Sequence, residues 1–302
     1  MIDRLFSSRV LIEDYLRGAG FCLSPFSFVN IFAWSDFFDF NVEVIDGCLC
    51  VFASDAIGTF LYFPPIDMQG VVSCKCINGC FAVMDKVNSN RGVSRIENVP
   101  VSFLDVFQKD DFSIYMKGYE YCYYKQDIIS LTGNRYKSKR SDYNYFVKNH
   151  SYHYCDFVPA MIDDCILLYQ KWQANRKKKY SDDIYQNMLE ENLKLHHRLL
   201  SFYDELNLIG SVVFVDDVVR AYTLGYELTE DVFCVFIEIT DLLYKGLSTF
   251  IFRHFCADDR LGKYRFINAM DDSGFVGLRQ AKMSFAPSIM LPLYTVSRKD
   301  KE

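Results

Sequence analysis

Residues 266–287 read FINAMDDSGFVGLRQAKMSFAP, and the interpretation of the chain turns on how this stretch is divided. The apolar run at 266–268 suits a buried strand. Asp271, Asp272, Ser273 and Gly274 interrupt it, and a new segment opening near Phe275 carries Arg279 and Lys282. If that segment is helical, Arg279 and Lys282 share a face, and Asp271, Asp272 and Ser273 are residue types that accept hydrogen bonds from the free N–H groups of a helix start. The stretch is therefore a strand-to-helix junction. Its two carboxylates and two cations are either a solvated cap or the acid–base and phosphate-binding groups of a site.

Working upstream, an apolar helix is expected within 242–255. It follows three strands at 206–214, 218–227 and 232–239, joined by tight turns at Asp216-Asp217 and 229–231. The N-terminal part has the same texture. An amphipathic helix spans 8–19 and ends at Gly18 and Gly20, and a short aromatic helix and turn occupy 26–38. The runs NVEVID, CLCVFAS and GTFLYFP, the first two separated by Asp46-Gly47, predict an antiparallel meander. A helix at 71–87, a strand at 93–97, a short helix at 103–108 and a Tyr-rich strand at 113–124 follow. After a helical turn at 127–131, a helix is expected at 141–150 and an exit strand of the first half at 150–157. Helices at 159–172 and 184–205, the latter capped by Ser181, Asp182 and Asp183, open the second half.

Each half thus runs through helices, a three-strand meander, a helix, a strand and a helix. This order matches the GNAT (acyl-CoA N-acyltransferase-like) plan twice. It predicts an α/β protein of α+β character, with mixed, mostly antiparallel sheets flanked by helices, in tandem domains at 1–157 and 158–302.

Composition narrows the partners. The 302 residues are half hydrophobic and 17% aromatic, enough for ordinary cores, and the net charge of -6 argues against indiscriminate coating of nucleic acid. The first twenty residues contain no secretory apolar core. The most apolar window, 21–40, is broken by Pro25, Asn30, Asp36 and Asp39, so no integral membrane segment and a cytoplasmic location are expected. Eleven cysteines without an export signal are expected to be reduced and buried as small hydrophobes. Cys74, Cys76 and Cys80 form C-x-C-x3-C but lack the second paired motif of a zinc site, so no metal is expected. His196 and His197 are adjacent and point to different faces of their helix.

A second stretch is chemically distinctive. YKSKRSDYNYFVKNH, residues 136–150, interleaves Lys137, Lys139 and Arg140 with Tyr136, Tyr143, Tyr145 and Phe146. This suits phosphate binding with base stacking, although the residues alone favour the plainer reading of a helix whose aromatics face a core while its cations reach outward.

Together these stretches resemble the phosphatidylglycerol lysyltransferase C-terminal domain family. The 266–287 stretch is similar to its C-terminal signature of Asn, paired Asp, Gly-Leu-Arg and Ala-Lys before an aromatic and Pro. Residues 136–150 resemble its Lys-Arg-Asn segment, and LIGSVVFVDDVVRAYTLGYELTEDVFCVFIEITD, residues 208–241, its strand region with a Gly-Glu pair and a later Ile-Glu. The likeness spans 26–294 in order. It departs where Ser141 replaces an Asn, where Ile239 replaces a Lys, and where Tyr226 separates Gly225 from Glu227.

The resemblance implies a tandem GNAT-like fold, shared in outline with Fem-type transferases that take aminoacyl groups from tRNA. It implies aminoacyl-tRNA as donor, with no permanently bound cofactor, and a lipid headgroup, peptide or small amine as acceptor. Carried onto matching positions, it marks Asp271, Asp272, Arg279 and Lys282 as catalytic, and Lys139, Arg140, Asn144, Glu227, Glu238 and Asn268 as substrate-binding. Lys139 and Arg140 would hold the tRNA acceptor end. Two other readings stand beside it: an acyl-CoA-dependent N-acyltransferase, for which Gly246 alone is a poor pyrophosphate loop, and a noncatalytic binding module whose charges form a structural ion-pair network.

Overall fold

A computed structural model describes residues 2–107, 110–179 and 182–299. Gln108, Ser181 and the charged tail beyond 299, on which parts of the expected elements fall, lie outside them. The chain folds as two compact units. The first comprises Met1–Glu120, Asp271–Gly274 and Met290–Glu302; the second comprises Tyr121–Met270 and Phe275–Ile289. The boundary expected at 157/158 falls inside the second unit.

In the first unit, α1 (Ile2–Ser7), α2 (Arg9–Ala19) and α3 (Phe28–Ala33) precede the meander. Gly20, at φ 59°, terminates α2, and the Ser27 hydroxyl caps α3 by accepting from Asn30 N–H. Strands β1 (Asp39–Ile45) and β2 (Cys48–Ser54) pair antiparallel across the Asp46-Gly47 turn, whose two residues both have positive φ, the geometry a two-residue hairpin demands. β3 (Thr59–Leu61) continues antiparallel to β2. α4 (Cys74–Val87), capped by Ser73, precedes β4 (Arg95–Pro100), which lies parallel to β3. The expected helix at 103–108 is a 3-10 turn, Val101–Val106. β5 (Phe112–Tyr124) is one long strand that runs to the unit boundary and beyond.

The second unit begins with α5 (Lys125–Ser130) and α6 (Lys137–Asn149). α6 opens four residues before the expected start, so Lys139 and Arg140 lie on the helix itself. β6 (Tyr152–Asp156) pairs antiparallel with β7 rather than leaving the first half, because its partner strand lies after two further helices, α7 (Ile162–Lys179) and α8 (Asp183–Ser201). Strands β7 (Ile209–Val215), β8 (Val218–Glu227) and β9 (Val232–Thr240) form the second meander. α9 (Leu247–Cys256) follows, shorter than expected at its start, and β10 (Phe266–Asn268) then runs parallel to β9 and antiparallel to the Cys122–Tyr124 end of β5. The junction stretch yields α10 (Val276–Met283), and β11 (Ile289–Arg298) pairs antiparallel with β4.

The core of the second unit is largely aromatic and aliphatic. One cluster joins Tyr121, Tyr123, Phe233, Val235, Phe252, Phe255, Cys256 and Phe285; another centres on Phe146, Val213, Leu247 and Phe250. His196 is buried against Tyr222 with its pKa pushed down to about 3 by that burial, while His197 is exposed, so the two do split faces. Among the described residues no helix is long and apolar enough to cross a membrane.

One expectation fails in the first unit. Cys48 and Cys76 are paired as a disulfide, whereas all cysteines were expected to be reduced. Sequence spacing gave no sign of this, because the two are brought together only when α4 packs beside β2.

Candidate functional site

The second unit builds its site around a carboxylate. β9 reads VFCVFIEIT, an apolar run with one charge, Glu238. Period-two alternation from Phe233 and Val235 would turn Glu238 to the opposite face of the sheet. The pairing with β8 slips, however: Leu224 faces Ile237 and Gly225 faces Val235, so Phe236 is an extra residue. Such a bulge reverses the alternation beyond it and directs Glu238 to the face of Phe233 and Val235, where it acts on the Cys256 thiol.

Gly225 makes the slip possible. A Cβ there would lie 2.2 Å from the Cys234 carbonyl oxygen and 2.4 Å from the Phe233 ring.

Glu238 retains some accessible surface yet is closely surrounded by protein. That enclosure raises its pKa to about 8, although the ammonium groups of Lys139 and Lys282 both pull it down. Burial therefore outweighs two cations. Lys139 reaches in from α6 with its Nζ 4.0 Å from the Phe285 ring centroid, and burial depresses its own pKa against the opposing pull of Asp142 and Glu238. Lys282 comes from α10. Its Nζ donates to the Ala269 carbonyl and lies 5.9 Å from the Tyr121 ring centroid, while its own carbonyl accepts from the Tyr123 hydroxyl at 3.0 Å. A carboxyl whose pKa burial raises to about 8 and which feels two ammonium groups, near Tyr121, Tyr123 and Phe285, can move a proton and hold a developing negative charge.

The remaining expected residues divide by position. Arg140 donates to the carbonyls of Leu131 and of Gly133, the latter at 2.7 Å, and so closes the loop before α6. Asn144 and Arg279 are exposed on their helices. Glu227 lies at the far end of β8, where it accepts from Lys263 and from Tyr264 Oη at 2.7 Å, and those bonds hold its carboxyl low against the effect of burial. Asn268 is fully buried, and its side-chain oxygen accepts from Met270 N–H at 2.6 Å, which fixes the turn out of β10.

Asp271 and Asp272 belong to the first unit, whereas Arg279 and Lys282 belong to the second. Neither Asp caps α10. Asp271 accepts from Ser273 N–H and Oγ at 3.3 Å, and buried Asp272 from Gly274 N–H at 2.9 Å. The N-cap of α10 is Phe275, with no side-chain bond, because Ser273 and Gly274 take positive φ and turn the chain between the carboxylates and the helix. So the structure joins Lys139, Lys282 and Glu238, and leaves Arg140, Glu227 and Asn268 holding backbone or surface partners.

Two features escaped the sequence. One is Tyr123, whose phenol pKa is raised by burial and which looked like one tyrosine among several. The other is a buried chain in the first unit: Tyr62 Oη donates to Asn30 Oδ1 at 2.5 Å, Asn30 Nδ2 to Ser24 Oγ at 3.4 Å, and Ser24 Oγ to Glu120 at 2.5 Å. Its members lie up to 96 positions apart, so no local motif could reveal it.

Comparison with solved structures shows the same architecture elsewhere. A conserved protein of unknown function from Bacteroides thetaiotaomicron aligns over 97% of each chain at 21% identity and TM-score 0.84. The L-PGS structure from Bacillus licheniformis aligns over 97% of this chain and 92% of its own at 14% identity and TM-score 0.67. A tandem GNAT protein from the clavulanic acid biosynthesis pathway aligns over 99% and 96% at 7% identity and TM-score 0.50. At these identities the likeness establishes the fold, which is the tandem GNAT-like fold that the element order predicts. No curated protein matches the chain. Residues 24–297, nearly the whole sequence, match the family described as phosphatidylglycerol lysyltransferase, C-terminal, and the chain belongs to that family.

Proposed function

We propose that the protein is an aminoacyltransferase that moves an aminoacyl group from aminoacyl-tRNA to a lipid headgroup, peptide or small amine acceptor, with the second unit supplying the chemistry. The observation that carries this reading is Glu238, an enclosed carboxyl whose pKa burial raises to about 8 against the pull of the Lys139 and Lys282 ammonium groups. Ionised, it takes the proton of the attacking acceptor group. Protonated, it gives that proton to the ribose oxygen as it leaves the ester, which departs as a hydroxyl. The ammonium groups of Lys139 and Lys282 stabilise the tetrahedral oxyanion between these steps. Tyr123 positions Lys282 by tethering its carbonyl. The family description supports transfer of an acyl group to a phosphatidylglycerol-like acceptor.

Gly246 supports this donor over acyl-CoA. A pyrophosphate is commonly held at an open helix N-terminus. The start of α9 is covered by α6: a Cβ at Gly246 would lie 2.0 Å from the Asp142 carbonyl oxygen.

The test is single-turnover transfer from labelled aminoacyl-tRNA to mixed lipid, peptide and amine acceptors, alongside retention of charged tRNA at several salt concentrations. Salt-sensitive retention and a transfer rate that falls at least about 100-fold in Glu238→Gln are expected. Absence of retention at low salt, or transfer from acyl-CoA alone, overturns the proposal.

A further inference from the structure

The cysteines of the first unit take no part in that chemistry, yet they are not scattered. Cys48 and Cys50 are two apart on β2 and so share a face; Cys76 and Cys80 are four apart on α4 and share a face. Two strand residues advance about 6.7 Å and four helical residues about 6 Å. The strand pair and the helix pair are therefore matched in length, like rungs between two rails.

The first rung is closed: Cys48 and Cys76 are bonded, their Cα atoms 6.6 Å apart. At the second, the free thiols of Cys50 and Cys80 lie with sulfurs 3.3 Å apart. All four side chains are at most 3% exposed. Cys74, the remaining member of C-x-C-x3-C, is exposed and lies against the Val106 carbonyl instead.

We propose that Cys50 and Cys80 form a second, oxidant-dependent disulfide beside Cys48–Cys76, making a redox-gated double staple of α4 to β2. The closed first rung holds the second in register, so that the sulfurs need approach by only a little more than 1 Å to reach bonding distance. With a small-molecule disulfide as oxidant, the Cys50 thiolate attacks one of its sulfurs and expels a thiolate. The Cys80 thiolate then attacks the Cys50 sulfur and expels the second. One protein disulfide forms, and the two electrons and two protons leave on two molecules of small thiol. The mutual hydrogen bond and burial keep the Cys80 thiol protonated, so the second rung closes slowly and only under sustained oxidation.

The test compares full-length protein incubated with oxidised glutathione or with a reducing phosphine, then quenched by alkylation in denaturant. Relative to untreated protein, oxidation is expected to abolish alkylation of both Cys50 and Cys80, with peptide mapping assigning the new link to that pair and counting glutathione caps at exposed Cys74 apart. Amide exchange across α4 should slow at least about tenfold between the singly and doubly bonded forms. The double variant Cys50→Ser, Cys80→Ser, which keeps the first rung, should show neither change. Full alkylation of Cys50 and Cys80 after oxidation, or links pairing Cys48 with Cys80 or Cys50 with Cys76, would overturn the proposal. The mapping of oxidised wild-type protein decides the proposal by itself, even where the double variant folds poorly.

Discussion

Replacing Glu238 by Gln tests the enclosed acid directly, because it removes an ionisation while nearly preserving shape. In the unfolded chain this carboxyl ionises near 4.5 and in the native protein near 8. Between those values the folded state keeps the proton and the unfolded state has released it, so native stability falls as pH rises through that window. At about 1.4 kcal/mol per unit, the wild type loses roughly 3 kcal/mol relative to Glu238→Gln by pH 7, and about 5 kcal/mol once both states are ionised above pH 8. Below pH 4.5 the two proteins should differ little.

The assay is urea unfolding at half-unit pH steps from 4 to 9, on proteins carrying Trp34→Phe so that Trp172 on α7 reports the second unit. Titrating groups that do not feel Glu238 cancel in the difference between the two proteins; Lys139 and Cys256, whose titrations Glu238 shifts, do not, so the difference is read for its sign and its rise between pH 4.5 and 8. A difference that stays flat with pH, or that grows as pH falls, would refute the claim that burial dominates the two lysines.

Other outcomes follow from the same geometry. Gly225→Ala should destabilise the second unit by about 2–4 kcal/mol in urea unfolding, since the new methyl meets backbone that cannot yield locally; wild-type stability would contradict the close approach. Lys139→Met and Lys282→Met should each slow transfer by about 100-fold or more and move the rising, acid-side limb of the pH–rate profile set by Glu238 further alkaline, because each ammonium lowers that pKa; an unmoved limb would remove the lysine from the site. Arg140→Ala should cost about 1–3 kcal/mol of stability through its two lost carbonyl bonds, with chemistry in the surviving folded protein near normal by single-turnover assay. Glu227→Gln breaks an exposed pair and should change the melting midpoint by no more than about 1 kcal/mol equivalent.

The meanders were legible because Asp46-Gly47 and Asp216-Asp217 announce turns between apolar runs, and both turns adopt positive φ at each residue. Helix bodies were legible from periodicity. α6 starts four residues ahead of the expected 141 because the 3-10 turn Asn134–Tyr136 after Gly133 runs straight into helical geometry at Lys137, with no capping residue to mark the start. Of the candidate site, Lys139, Lys282 and Glu238 were visible through family resemblance. Their convergence was not, since it depends on where α6 and α10 pack. Asp271 and Asp272 misled for a physical reason: an Asp two residues before a backbone N–H serves a turn as readily as a helix cap, and only Ser273 and Gly274 at positive φ distinguish the two. The disulfide was illegible for a similar reason, because spacing within a strand and within a helix says nothing of which strand meets which helix.

The extra residue at Phe236 has a meaning for which changes β9 can absorb. Because the bulge reverses the side-chain alternation, the orientation of Glu238 depends on the number of residues before it and only weakly on what they are. Substitutions along β9 that keep apolar volume leave the acid aimed inward. The length of this run, more than its composition, therefore sets which way the acid faces, and a gap of one residue in it would keep the architecture while turning the acid away from Lys139 and Lys282.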